Sequence, residues 1–159
     1  MEKTDISAAF TAMLADNQQA LVRLARRYAG PDDWQDLLQD MRLQLWRSFG
    51  GFDGRSQLST WVYRVALNTA LSHLRKPRRE HVPLDAVPER GDSGHAVDPM
   101  DVLDAFLATL EPVPRAVLVM DLEGMAREQI AEVLGLSPNA VAVRMTRLRQ
   151  AFEQHFVEG

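Results

Sequence analysis

Cysteine is absent from all 159 residues, which excludes disulfides and thiolate-bound zinc or iron–sulfur clusters and fits a reducing compartment. Long hydrophobic runs are missing too, since no stretch approaches the roughly 18 apolar residues that span a bilayer. The opening residues MEKTDISAAF lack a basic segment followed by an apolar one, so no secretory leader and no membrane contact are expected, and the cytoplasm is. His73, His81, His95 and His155 show no metal-binding spacing with Asp or Glu along a helix, and no glycine-rich nucleotide loop occurs. The expectation is a protein with no metal, no cofactor, no catalytic residue and no enzymatic activity.

What is present suits a folded chain: 46% of residues are hydrophobic and 25% charged. A net charge of −4 and a pI near 5.5 argue at first against nucleic acid. That average conceals a segregation of charge. Arg64, Arg75, Lys76, Arg78 and Arg79 fall in a stretch without an acid, as do Arg144, Arg147 and Arg149. Between them, Glu80 to Glu111 is acidic with Arg90 as its one cation. Two basic surfaces thus flank an acidic segment. Four prolines and no sustained helical period mark KPRREHVPLDAVPERGDSGHAVDP as a flexible linker. The division expected is a helical domain over 1–76, an acidic linker over 77–99 and a second helical domain over 100–159, an all-α fold of two small units.

In the first unit the pattern predicts a helix from Gln18 to Ala29, stopped by Gly30-Pro31, with Asp32 capping the next. Trp34, Leu37, Leu38, Met41, Leu45 and Phe49 recur at helical spacing, with Trp46 at the edge of that stripe. After the glycine-rich turn GGFDGRSQ, a helix is expected from Leu58 to Arg75 with Leu58, Trp61, Val62 and Val65 on its apolar side. In the second unit, helices are predicted over Met100–Leu110, Val113–Leu122, Ala126–Leu134 and Pro138–Phe152. Ser137 caps the last and Pro138 occupies its first turn.

The stretch REQIAEVLGLSPNAVAVRMTRL fits a helix-turn-helix. Ala131 is small where two helices cross, Gly135 permits the turn, and Ile130, Leu134, Leu136 and Val141 supply the core between them. In such a motif the second helix enters the major groove, which makes Asn139, Arg144, Arg147 and Arg149 candidates for base edges or phosphates. Each also has an ordinary reading, the arginines as a solvated face and Asn139 as a good helix-start residue.

Taken in order, DDWQDLLQDMRLQLW, FDGRSQLSTWVYRVALNTALSHLRK and FLATLEPVPRAVLVMDLEGMAREQIAEVLGLSPNAVAVRMTRLRQAF resemble the extracytoplasmic-function sigma factors of the sigma-70 family, over roughly 18–78 and 102–155. The resemblance implies an alternative sigma factor that binds bacterial core RNA polymerase and directs it to promoters. It implies that Asp36, Gln39 and Asp40 dock on the polymerase clamp helices. Phe52, Tyr63, Arg64, Asn68, Arg75 and Lys76 would hold the minus-ten element as a single strand, and Asn139, Arg144, Arg147 and Arg149 the duplex minus-35 element. Such a pocket needs an edge-reading polar group, stacking surface and cations, because unstacking a base costs a few kcal/mol. Trp61 lies on the apolar stripe and is expected in the core, which leaves Tyr63 as the better stacking surface. An anti-sigma factor is a further implied partner, and the acidic linker would thread toward the RNA path.

The chain departs from the family pattern at three places. Ala142 and Val143 stand where a basic residue and serine are usual, Ser72 where aspartate is common, and Asp121 where a basic residue is frequent. Two other classes fit parts of the sequence: a self-sufficient dimeric helix-turn-helix regulator, and an adaptor that binds polymerase without reading DNA.

Overall fold

The computed structural model describes residues 2–75 and 98–157. The expected linker lies outside the described residues, apart from Asp98 and Pro99, and so does Lys76. Every regular element among the described residues is a helix: α1 (Lys3–Tyr28), α2 (Trp34–Phe49), α3 (Leu58–Arg75), α4 (Pro99–Thr109), α5 (Pro112–Leu122), α6 (Arg127–Leu134) and α7 (Pro138–Val157). Helices α1 to α3 pack on one another, α5 packs on α4, α6 and α7, and α3 meets α6 across the two groups.

Helix α1 begins at Lys3, well before the expected Gln18. The earlier turns are held by tertiary contact, since the Phe10 ring meets Trp46 edge-on at 5.0 Å and Phe49 at 5.5 Å between centroids. The chain ends α1 at Ala29, and Gly30-Pro31 follow as expected. The cap expected from Asp32 does not form. Asp33 holds the cap position without a side-chain bond, and the Gly30 carbonyl accepts the amides of Asp33 and Trp34 at 3.0 and 3.1 Å. Leu37, Leu38, Met41 and Leu45 are buried as their spacing predicts. Arg26 covers the Trp34 ring at 4.5 Å, and Arg42 donates to Gln18 Oε1 at 3.0 Å, which ties α2 to α1.

On α3 the buried face is turned from the expected one. Leu58 is 37% exposed and Trp61 and Val65 are half-buried, whereas Val62, Tyr63, Ala66, Leu67 and Ala70 are enclosed. A single apolar stripe would serve one neighbour. Because α3 contacts α1, α2 and α6, its covered arc is wider and takes in a tyrosine and two alanines. The hydroxyls of Tyr28 and Tyr63 are buried with no hydrogen-bond partner. Burial pushes the Tyr28 phenol up to about 12 against the pull of Arg115. It pushes Tyr63 up as well, with Tyr28 and Glu123 adding to the effect and Arg27 and Arg23 opposing it.

In the second group, the Asp98 carboxylate caps α4 by accepting the Met100 amide at 2.9 Å. Gln129 reaches back to the Ala126 amide at 3.0 Å, half of a capping box whose other half an alanine cannot supply. The turn of the helix-turn-helix is built as the sequence suggests. Gly135 sits at φ 68°, the Ala131 carbonyl accepts the Gly135 and Leu136 amides, and Ser137 Oγ accepts the Ala140 amide at 3.0 Å.

A Cβ at Gly135 would meet nothing within 4 Å, so a side chain there suffers backbone strain alone. Gly135→Val is expected to cost about 1–2 kcal/mol in urea unfolding, and Gly135→Asn distinctly less. The raised phenols carry a pH signature. Both tyrosines remain protonated in the folded chain after an unfolded tyrosine, with a pKa of about 10, has lost its proton. Stability contributed by the neutral phenols is therefore complete below about pH 10 and falls as the pH rises toward 12. Phenolate absorbance in an alkaline titration should appear together with loss of helical dichroism, and Tyr28→Phe should move that transition to higher pH.

Candidate nucleic-acid interface

The α2 face away from the core carries Asp36 and Gln39, both exposed, and Asp40, half-buried, at helical i, i+3, i+4 spacing. One turn on, Leu43 continues the same row and is 45% exposed, with Trp46 beside it at 48%. Sequence reading put Trp46 at the edge of the buried stripe and passed over Leu43. The signal was available: Leu43 follows Asp36 by seven residues and Asp40 by three, off the core stripe. An apolar centre with a polar rim is the composition of a protein-binding patch.

Asp40 also lines a groove of about 580 Å³ between α2 and α3, with Leu43, Arg47, Asn68, Ser72 and His73 among the other walls. Asn68 is exposed on that wall. The structure thus brings a residue singled out for polymerase and one singled out for DNA to the same groove. The loop before α3 is set by Gly54 at φ 77° and by Asp53, whose carboxylate accepts the Arg55 amide at 3.0 Å. Phe52 on this loop lies against Trp61 at 5.4 Å between ring centroids, and Trp61 in turn against Phe49 at 6.3 Å. Trp61 therefore serves as a brace for the loop.

Tyr63 and Arg64 are placed differently. Tyr63 is 7% exposed and beside a pocket lined by Arg23, Glu123 and Gln129, so its ring offers no open stacking surface in this arrangement. Arg64 Nε donates to the Val133 carbonyl at 3.4 Å and Nη2 to the Glu132 carbonyl, both in the last turn of α6. Arg75 ends α3, and its side chain lies outside the described residues, as does Lys76.

On α7 the helical repeat separates the four sequence-predicted contacts. Asn139, Val143 and Arg147 share the outward face, and Val143 is 41% exposed there. Arg144 sits at one margin, half-buried. Arg149 sits at the other, where it lines a cavity of about 260 Å³ with Asp121, Arg127 and Thr146. Val141 and Leu148 hold the opposite side of α7 in the core. Among the described residues no group of His, Cys, Asp or Glu is gathered as metal ligands, and no helix is long and apolar enough to cross a membrane.

The pattern for Sigma-70 region 2 matches residues 13–80, and that for Sigma-70, region 4 matches residues 100–159. The ECF RNA polymerase sigma-E factor of Haemophilus influenzae is 29% identical over 91% of this chain and 86% of that protein. Its counterpart in Escherichia coli is 27% identical over 91% and 85%. Among solved structures, CnrH in complex with the cytosolic domain of CnrY superposes with a TM-score of 0.71 at 24% identity, covering 96% of this chain and 90% of that one. The sigma factor RpoE from Bartonella quintana, in complex with the anti-sigma factor NepR, gives 0.68 at 24% over 92% and 95%. With two sigma-70 regions matched in order across most of its length, the chain belongs to the sigma-70 family as an extracytoplasmic-function sigma factor, which directs RNA polymerase to initiate transcription at promoters.

Proposed function

We propose that the chain divides this task between residues 1–76 and 100–159, with 77–99 as connector. The observation that carries the reading is the row of exposed Asp36, Gln39 and Leu43 with half-buried Asp40, which leads into the groove that Asp40 shares with Asn68. The α2 row docks on core RNA polymerase, with Leu43 as its apolar centre. Asn68 reads the edge of an unstacked minus-ten base, because a carboxamide both donates and accepts. Phe52, held by Trp61, walls that site, and Arg64, Arg75 and Lys76 meet phosphates.

On the minus-35 duplex, Asn139 and Arg147 face the major groove, while Arg144 and Arg149 flank it at phosphate positions. Ala142 removes a basic contact, and Val143 replaces a serine by an apolar side chain suited to a thymine methyl. The chain works in the cytoplasm with polymerase, performs no chemistry of its own and uses no cofactor. An anti-sigma factor is its regulatory partner, by analogy with the NepR complex of a structural neighbour.

Purified chain incubated with bacterial core RNA polymerase and a pool of upstream DNA from its own genome should give transcripts with defined starts. Asp36→Arg is expected to lose both core binding and starts, and Asn68→Ala to keep core binding while starts weaken by the equivalent of about 1–3 kcal/mol. Core binding without any starts, or starts unaffected by Asn68→Ala, would count against this assignment. Arg147→Ala should weaken minus-35 duplex binding, and a drop of about one in the slope of log affinity against log salt would mark a phosphate contact rather than a base contact.

A further inference from the structure

Of the cations assigned above to the promoter strand, Arg64 is engaged by the end of α6, while Lys76 and the side chain of Arg75 lie outside the described residues. The cation that the structure does bring to Asn68 is Arg47, on α2, which lines the same groove of about 580 Å³. The groove is a valley between two matching ridges. Asp40, Gln44 and Arg47 follow one another at helical spacing along α2, and Val65, Asn68 and Ser72 do so along α3. The ring of Phe49, at the end of α2, lies 6.3 Å from that of Trp61, near the start of α3, so the two helices run back along each other. Arg47 therefore lies toward Val65 and Asp40 toward Ser72 and His73, with Asn68 between them.

Among the described residues the side chains of Arg47 and Asp40 have no ion pair and no hydrogen bond, with each other or with any neighbour. His73, another wall of the groove, keeps its Nδ1 buried without a hydrogen-bond partner. Polar groups left open in this way suit a polar occupant. A volume of about 580 Å³ is that of a site for a whole small molecule, so a base enters together with its sugar and phosphate. Resting on the assignment of Asn68 to the minus-ten strand, we propose that Arg47 holds the backbone phosphate next to the base that Asn68 reads. The guanidinium presents a fork of donors that matches two phosphate oxygens. Asp40 repels a phosphate from the opposite end, which fixes the side of the base on which the held phosphate lies.

The test uses holoenzyme reconstituted from the full chain and bacterial core RNA polymerase, titrated on fork templates cut from the promoters found in the transcript pool. A single uncharged methylphosphonate is stepped through the non-template strand of the minus-ten element. With the unmodified chain, one such replacement should weaken binding by about threefold to tenfold, within one nucleotide of the base whose identity matters only when Asn68 is present. Arg47→Ala should be weaker by the same factor on the all-phosphate template and indifferent to that one replacement, while staying sensitive to the others. Its slope of log affinity against log salt should fall by roughly 0.7, as for one phosphate contact on a single strand. Arg47→Lys keeps the charge without the fork and should recover part of the loss. Circular dichroism checks that each variant is folded.

A methylphosphonate profile in Arg47→Ala identical to that of the unmodified chain overturns the proposal. So does an Arg47-dependent phosphate that lies far from the Asn68-dependent base. Loss of core binding in Arg47→Ala with the profile unchanged places Arg47 in the docking row of α2 and overturns it as well. If the unmodified chain gives no starts at all, the promoter assignment fails and the phosphate contact with it. Starts that need Asn68 but not Arg47 leave that assignment standing and remove only the phosphate contact.

Discussion

Helix α3 has to satisfy three neighbours at once, α1, α2 and α6, and the position of each surface follows from how it does so. Val62 and Leu67 are deeply buried, and Ala66 and Ala70 are fully buried beside them, as small side chains permit when helices approach closely. This leaves Asn68 exposed on the groove beside α2 and turns Arg64 toward the end of α6. Exposure of Asn68 and engagement of Arg64 are consequences of one helix being covered from several directions. The unpartnered Tyr63 hydroxyl is another, since a residue on the added arc is enclosed whether or not its polar atom finds a bond.

The aromatic contacts perform a related task at the other end of the same helix. Phe10, Phe49, Trp61 and Phe52 meet in succession, carrying rigidity from the start of α1 to the loop before α3. Loops are the mobile part of most recognition surfaces, and the tilted Trp61 ring against Phe52 restricts where this one can go. It also explains why α1 is longer than its own periodicity suggests. A helical stretch this short is marginal on its own, and Trp46 and Phe49 hold it from across the bundle.

On the minus-35 side, four candidate contacts in one helix do not share a direction. Asn139, Val143 and Arg147 point outward, while Arg149 lines the cavity beside α5 together with Asp121. Asp121 stands where the family frequently has a basic residue, and it lines the same cavity as Arg149. The departures from the family pattern at Asp121 and Val143 thus fall on two different faces, one beside a cavity and one toward solvent.

By itself the sequence determined the all-helical class, five of the seven helices among the described residues to within a few residues, the start of α7 though not its end at Val157, the core stripe of α2 and the turn at Gly135, because each rests on local spacing or a single backbone requirement. Recognition of the family came from the ordered run of those segments. The structure decided what depends on residues far apart in the chain: the early start of α1, the rotated buried face of α3, Trp61 as a brace and Tyr63 as an enclosed residue. It also decided the company each site residue keeps, with Asp40 and Asn68 in one groove and Arg64 on the carbonyls of α6. Periodicity reports how a helix divides into apolar and polar sides. It carries no information on how many neighbours that helix will have, and here the third neighbour of α3 decided which side chains stay open to a partner.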